Sequence, residues 1–203
     1  IYDMVEGGSG IARWDRSVAD WGSENATAWS TAVLDVLTDL GGSAYVAVIA
    51  IAVGAFDYRR FRNPSVPLFL AVVLIGISLL NNLLKLIVDR ERPDVVHLVT
   101  TSSSSFPSGH SATAAAAWCA FALVMSRHQL RRVRAVAAAV AAFVTFAVAA
   151  SRALLGVHWL TDVIAGVTVG WVWFLLAALA FGGRLQRLGE PVDADRAADA
   201  ERV

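Results

Sequence analysis

Apolar residues run through this chain in long unbroken blocks separated by short charged clusters, and no stretch alternates strictly between polar and apolar. Val66–Val88 spans 23 residues whose only formal charge is Lys85, near the end. A bilayer core takes about 20 apolar residues per helix, so this block suffices for one span. Trp159–Phe181 is interrupted only by Asp162 near its start, while Ser111–Ser126 and Ala135–Ala150 are shorter and extend into their flanks. Thr31–Phe56 holds a fifth span, centred on Ala44–Phe56, with Gly41-Gly42 marking a bend ahead of it. Five transmembrane helices are thus expected, and blocks of this length without a period of two argue against a β-barrel. The expected fold is all-α, a polytopic membrane helical bundle.

Residues 11–30 differ from these blocks. Trp14, Trp21 and Trp29, with Ile11 and Val18, recur about seven apart, while Arg13, Asp15, Arg16, Asp20 and Glu24 fall on the other faces. One amphipathic helix with that stripe suits the outer headgroup layer, its indoles at the interface, or packs plainly against the bundle. From Glu190 the chain is acidic and free of aromatics, and is expected to be disordered. The resulting division is an interfacial segment at 1–30, a membrane domain at 31–183 and a cytoplasmic tail at 184–203.

Composition sharpens this picture in three ways. Apolar residues make up 57% of the 203, with 17 basic against 17 acidic, so nothing in the charge balance points to nucleic acid. Cys119 is the single cysteine, which excludes an intrachain disulfide and cysteine-cluster zinc sites; in its apolar helix it reads as a small buried hydrophobe. Arginine then sets the orientation. Arg59, Arg60 and Arg62, then Arg127, Arg131, Arg132 and Arg134, then Arg184 and Arg187 share one side of an alternating bundle, which makes that side cytoplasmic. The segments Asp89–His110 and Ser151–His158 then face outward, and residue 1 begins outside. Since the chain opens on Ile1 rather than Met, an upstream segment, a signal or a sixth span, is expected to precede it. The Ala/Arg-rich composition and short loops suggest a bacterial inner membrane.

Three outward segments carry polar residues that membrane packing does not explain. In the first, Lys85 precedes Arg92-Pro93 by seven residues, about two helical turns, so both cations can project from one face at the end of the Val66–Val88 helix. Alone, Lys85 also reads as a snorkelling interface residue or a partner of Asp89. In the second, Pro107-Ser108-Gly109-His110 directly precedes an apolar helix. Ser108 is placed to cap that helix and Gly109 permits close backbone approach. The helix N-terminus offers amides and partial positive charge to a phosphate. In the third, Ser151-Arg152 is followed by His158 and, four residues on, by Asp162. That offset places ring and carboxylate on one helix face, where Asp162 can accept the Nδ1 hydrogen and leave Nε2 unprotonated. A helix-end salt bridge is the plainer reading of the same pair. Together the segments supply cations and amides for equatorial phosphoryl oxygens, one histidine to attack in line and another to protonate the leaving oxygen. No carboxylate cluster suits a two-metal site, and Asp35 with Asp39 reads as a solvated face.

These three segments resemble the three-part signature of the type-2 phosphatidic acid phosphatase superfamily. Eleven positions match in order, from 85 to 162, and the helix layout extends the likeness to about 31–182. The resemblance implies that His158 is the nucleophile and becomes a phosphohistidine, that Asp162 orients it and that His110 is the leaving-group acid. It further implies phosphate binding by Lys85, Arg92, Ser108, Gly109 and Arg152, no metal or other cofactor, and six spans where this chain shows five. The expected activity is hydrolysis of a lipid phosphate or polyprenyl diphosphate on the extracytoplasmic face, with a phosphotransferase using an alcohol acceptor as the alternative. Phosphatidic acid, phosphatidylglycerol phosphate and undecaprenyl diphosphate are candidate substrates. A soluble vanadium-dependent haloperoxidase shares the motifs but not the spans, and a packing or transport protein would not need them. The expected partners are substrate and bilayer, and the oligomeric state is left open. Two further features fit: Gly166 and Gly170 continue in steps of four below Asp162, a stripe against which another helix can press, and Thr100–Ser105 is a serine-rich stretch suited to a lip over the site.

Overall fold

The computed structural model describes residues 10–94 and 104–185. The tail from Glu190 and most of the serine-rich stretch lie outside them. Every regular element among the described residues is helical. A 3₁₀ turn, Gly10–Trp14, leads into α1 (Asp15–Glu24), followed by α2 (Ala28–Asp39), α3 (Ser43–Phe61), α4 (Ser65–Val88), α5 (Gly109–Ser126), α6 (Arg131–Leu154) and α7 (Leu160–Leu185).

Helices α4, α6 and α7 are each long and apolar enough to cross a membrane, and α2 with α3 forms a fourth such unit bent by 45°. The bend falls at Leu40–Gly42, where the glycine pair was expected to place it. Gly41 has a packing reason as well, because a Cβ there would run into the carbonyl of His110 and the Val148 side chain. The remaining expected span, Ser111–Ser126, corresponds to α5, whose 18 residues open on the polar turn Gly109-His110-Ser111 and which is not among the spans by length and composition.

Helix α5 is nonetheless the centre of the bundle, with α4, α6 and α7 packed around it. Ala112, Ala114, Ala115, Ala116, Ala117 and Ala120 are all fully buried on it. Side chains this small let neighbouring backbones approach closely, and such packing stands in for a hydrophobic driving force inside a bilayer. The glycine stripe of α7 does what its spacing suggested. A Cβ on Gly166 would strike the carbonyl of Ser108, and one on Gly170 that of Ala112. Larger apolar residues are turned outward instead, with Leu68, Ile75, Leu79, Leu83, Leu86 and Ile87 of α4 all exposed. Phe69, Leu70 and Ile77 of the same helix are buried, so α4 is apolar on both sides, which suits lipid as the surrounding solvent.

The N-terminal region departs from the single amphipathic helix expected over 11–30. The main-chain N–H and the side-chain amide of Asn25 both donate to the carbonyl of Trp21, closing α1. Thr27 then opens α2 with a reciprocal capping box to Ser30, at 3.1 and 2.9 Å. Trp29 therefore sits on a different helix from Trp21, and the three indoles do not share one stripe. All three are exposed, while Asp15, Ala19 and Gly22 form the buried side of α1. The face expected to be solvated thus carries the residue that docks.

Candidate active site

The C-terminal end of α4, the N-terminus of α5, the C-terminus of α6 and the N-terminus of α7 meet at one end of the bundle, and the three polar segments meet with them. Helix α4 stops at Val88 because Asp89 adopts a left-handed conformation, φ 37°. Arg92 consequently lies in the following coil and not, as expected, two turns along the same helix face. It reaches the site from there. Its Nη1 donates to the carbonyl of Val157 and lies 3.4 Å from Nε2 of His158. Lys85 remains on the last turn of α4, where its ammonium donates to the carbonyl of Ser104.

Ser108 is the N-cap residue of α5, but its hydroxyl does not cap the helix. It accepts from Ser111 Oγ at 2.9 Å, and the main-chain N–H of Ser108 donates to the carbonyl of Asp162 at 3.0 Å. That backbone bond ties the second segment to the third. His110, half-buried in the first turn of α5, lies within electrostatic reach of His158, Arg152, Arg92 and Lys85. Arg152 is buried on α6, where it donates to Thr38 of α2 at 3.0 Å. Asp35 and Asp39 of the same helix are exposed, as read.

His158 and Asp162 are not two residues of one helix. Helix α7 begins at Leu160, so His158 precedes it, and the ring is brought to the carboxylate by the turn from Leu155 to Trp159. Nδ1 of His158 is 3.6 Å from Oδ2 of Asp162, beyond hydrogen-bond length. Asp162 is completely buried and holds other donors. Oδ2 accepts from the hydroxyl of Ser105 and from the main-chain N–H of Trp159 at 3.0 Å, and Oδ1 accepts from Nη1 of Arg90 at 2.5 Å. Burial pushes the His158 ring down to about 4; the Asp162 carboxylate opposes this and the nearby Arg92 and Arg152 guanidinia reinforce it. The ring is therefore neutral at pH 7, with a lone pair available.

The cluster carries unmet hydrogen-bonding capacity. Among the described residues, buried atoms without a partner are Nδ1 of His158, Nε of Arg152 and Oδ1 of Asn81. The first two belong to the site. Asn81 lies one turn before Lys85, and its Nδ2 is 3.2 Å from where a Cβ on Gly109 would sit, so a side chain at 109 would press on it.

Sequence reasoning missed Asp15, Arg90, Ser105 and Thr161. Arg90 could have been suspected from its place two residues before Arg92, but in the run Asp89-Arg90-Glu91-Arg92 it read as a balanced loop charge. Asp15 gave no signal, because the residues it meets are 75 and 146 positions away.

Comparison with known proteins adds to this geometry. The family model described as the PAP2 superfamily matches residues 66–185. Phosphatidylglycerophosphatase B of Bacillus subtilis is 35% identical over 152 residues, which cover 73% of each chain. A lipid A 1-phosphatase of Rhizobium johnstonii is 33% identical over 175 residues, covering 72% of this chain and 66% of that protein. Among solved structures, the transmembrane PAP2-type phosphatidylglycerolphosphate phosphatase of Bacillus subtilis superposes with a TM-score of 0.81 at 29% identity, covering 90% of this chain and 92% of that one. LpxE of Aquifex aeolicus, at 21% identity and a TM-score of 0.62 over 79% of this chain and 92% of that one, shares the fold.

Proposed function

The chain belongs to the PAP2 superfamily, and from that premise we propose that it is a membrane-embedded lipid phosphatase that works through a phosphohistidine on His158. The observation that carries this reading is the buried, neutral His158 beside a fully buried carboxylate in a nest of cations. In the first step Nε2 of His158 attacks phosphorus and the bond from phosphorus to the leaving oxygen breaks. His110 gives its proton to that oxygen, and Asp162 holds the Nδ1 hydrogen and stabilises the ring as it becomes cationic. Lys85, Arg92 and Arg152, with Ser108 and the amides around Gly109, hold the equatorial oxygens. In the second step His110 takes a proton from water, the hydroxide attacks phosphorus, and inorganic phosphate leaves His158.

The curated relatives act on phosphatidylglycerophosphate and on lipid A, by their names. Both are envelope lipids carrying phosphate near the headgroup layer, and we assign this chain the same substrate class. An alcohol accepting the phosphoryl group from His158 would make it a phosphotransferase. We further assign five membrane crossings. α5 takes the fifth: it is sheathed by the spanning helices, so its polar first turn faces the site and not lipid. The arginine loops then lie inside and the site outside, in a bacterial inner membrane.

Purified protein in detergent should release phosphate from phosphatidylglycerol phosphate, phosphatidic acid or undecaprenyl diphosphate in excess EDTA, because cations do here what a metal does elsewhere. Activity lost to chelation and restored by Mg²⁺ overturns the mechanism, and product analysis with added alcohol identifies the acceptor. For orientation, cysteine at Asp94 in a Cys119→Ser background should react with an impermeant maleimide in intact cells, and cysteine at Gln129 should not. The reverse pattern inverts the topology.

A further inference from the structure

Asp162 would be a poor partner for His158 if its carboxylate were free to rotate. Each oxygen is therefore worth accounting for. Oδ2 faces the ring, and Oδ1 is held by Nη1 of Arg90. Both terminal nitrogens of Arg90 are in turn engaged. Nη1 also donates to Thr161 Oγ1 at 2.8 Å, Nη2 donates to Asp15 Oδ2 at 2.9 Å, and the guanidinium stacks 5.3 Å above the Trp159 ring. Asp15 accepts two more bonds, from the N–H of Thr161 at 2.8 Å and its hydroxyl at 2.7 Å.

The order of dependence can be read from what fixes each group. Helix α1 is seated without Arg90: Ala19 is buried, Val18 packs against the buried cluster formed by α5, α6 and α7, and Gly22 lies on the Leu154 carbonyl so closely that no Cβ would fit. Asp15 is thus a fixed, 4% exposed carboxylate. Arg90 sits in coil after α4, its main chain tied to Ser104 and Ser105, and its guanidinium takes its orientation from Asp15, Thr161 and Trp159. With its donors turned toward two carboxylates and a hydroxyl, it is arranged to serve protein groups, in contrast to Arg92 beside Nε2 of His158.

We propose that Asp15 and Arg90 are positioning residues of the reaction: α1, outside the stretch matched by the family model, fixes Arg90, which fixes the Asp162 carboxylate against His158. The inference rests on the phosphohistidine reading above. The alternating charges of Asp15, Arg90 and Asp162 also balance one another in a site with little access to water, where any one left alone would be costly. Removing Arg90 leaves Oδ1 without its guanidinium, so that the buried carboxylate is held on the Oδ2 side alone, by Ser105 and the N–H of Trp159. Removing the charge of Asp15 loosens Arg90 without touching the site directly.

The test is a double-mutant cycle on the full chain in detergent, with Asp15→Asn, Arg90→Gln and the pair. A misplaced catalytic group costs on the order of 10²-fold, which is the loss of kcat expected for Arg90→Gln with KM unchanged. Loss of one charge-assisted bond predicts about a tenfold fall for Asp15→Asn. The double variant should be far less slowed than the product of the two single effects, since Asp15 acts on Asp162 through Arg90, its own bonds to Thr161 adding the remainder. Asp15→Glu, which keeps the charge, should recover part of the rate. Wild-type kcat in Asp15→Asn overturns the proposal, as does a double variant slowed by the product of the single effects. So does a rise in KM alone, which would make Arg90 a substrate ligand. A second readout does not need turnover: ¹⁵N NMR of labelled histidine, with His158 assigned through His158→Gln. It should show the Nδ1–H tautomer in the wild type and a mixture of tautomers in Arg90→Gln. An unchanged tautomer in a folded Arg90→Gln variant overturns the relay. If the wild type hydrolyses no lipid phosphate, the functional reading fails while the tautomer still decides the relay.

Discussion

The two ends of the bundle each bury an arginine, Arg127 and Arg152, and they partner it in opposite ways. At the end away from the candidate site, Arg127 donates to Asp57, to the carbonyl of Val124 at 3.3 Å and to Nε2 of His128 at 3.0 Å, and its guanidinium lies 5.1 Å over the Phe61 ring. Each nitrogen of the guanidinium has a partner. At the other end, Arg152 keeps a buried Nε with no partner, and Nδ1 of His158 stops 3.6 Å short of Asp162. Leaving a buried polar atom unpaired costs about 1–3 kcal/mol, so a fold tolerates several together only where something else is meant to complete them. The fully paired Arg127 ties helices together, whereas the open Nε of Arg152 leaves bonding capacity at the candidate site.

Substitutions at the two ends should break in different ways. The largest effect is expected at His158→Ala, which removes the proposed nucleophile and should abolish turnover of every substrate, with Asp162→Asn close behind because it should favour the wrong imidazole tautomer. His110→Ala removes only the acid, worth about 10²–10⁴-fold, and its effect should shrink with p-nitrophenyl phosphate, whose leaving group departs without a proton. Acid-labile, base-stable phosphate should be trapped on the His110 variant and never on the His158 variant. Equal leaving-group dependence in the two would reverse the assigned roles.

At the opposite end Asp57→Asn strands the Arg127 charge, and breaking a buried pair typically costs about 3–5 kcal/mol. Thermal unfolding in detergent should therefore occur at a markedly lower temperature, while turnover per folded molecule stays at the wild-type value. A variant of normal stability and low turnover would mean that this pair communicates with the site. The subtlest expectation concerns protonation. An ordinary imidazole titrates near 6.5, whereas burial places His158 near 4. Its ring should stay neutral from pH 7 to about 5 and gain a proton only as pH falls through about 4, followed by NMR of the ring carbon-bound hydrogens. A midpoint near the ordinary value would show a solvated ring and weaken the contrast between the two ends.

Much of this was already present in the order of residues. Long apolar blocks must become helices in a bilayer, because no other open structure satisfies its backbone there, and that follows from composition and length alone. Glycine at 166 and 170 and the pair at 41–42 marked close approach and a bend, since a missing side chain acts wherever it falls. The polar groups that gather at one end of the bundle were legible too, in Lys85, Arg92, His110, Arg152, His158 and Asp162. What spacing could not supply was the path of the chain between them. A seven-residue step predicts a shared helix face only if the helix continues, and a left-handed Asp89 ends it. The four-residue step from His158 to Asp162 works through a turn instead of a helix. Asp15 and Thr161 are 146 residues apart, and nothing local in either could announce the other. Local sequence decides which conformations a segment prefers and what chemistry it carries. Which charge lies against which is decided by packing, because a buried carboxylate takes its partner from whatever backbone the finished fold brings within reach.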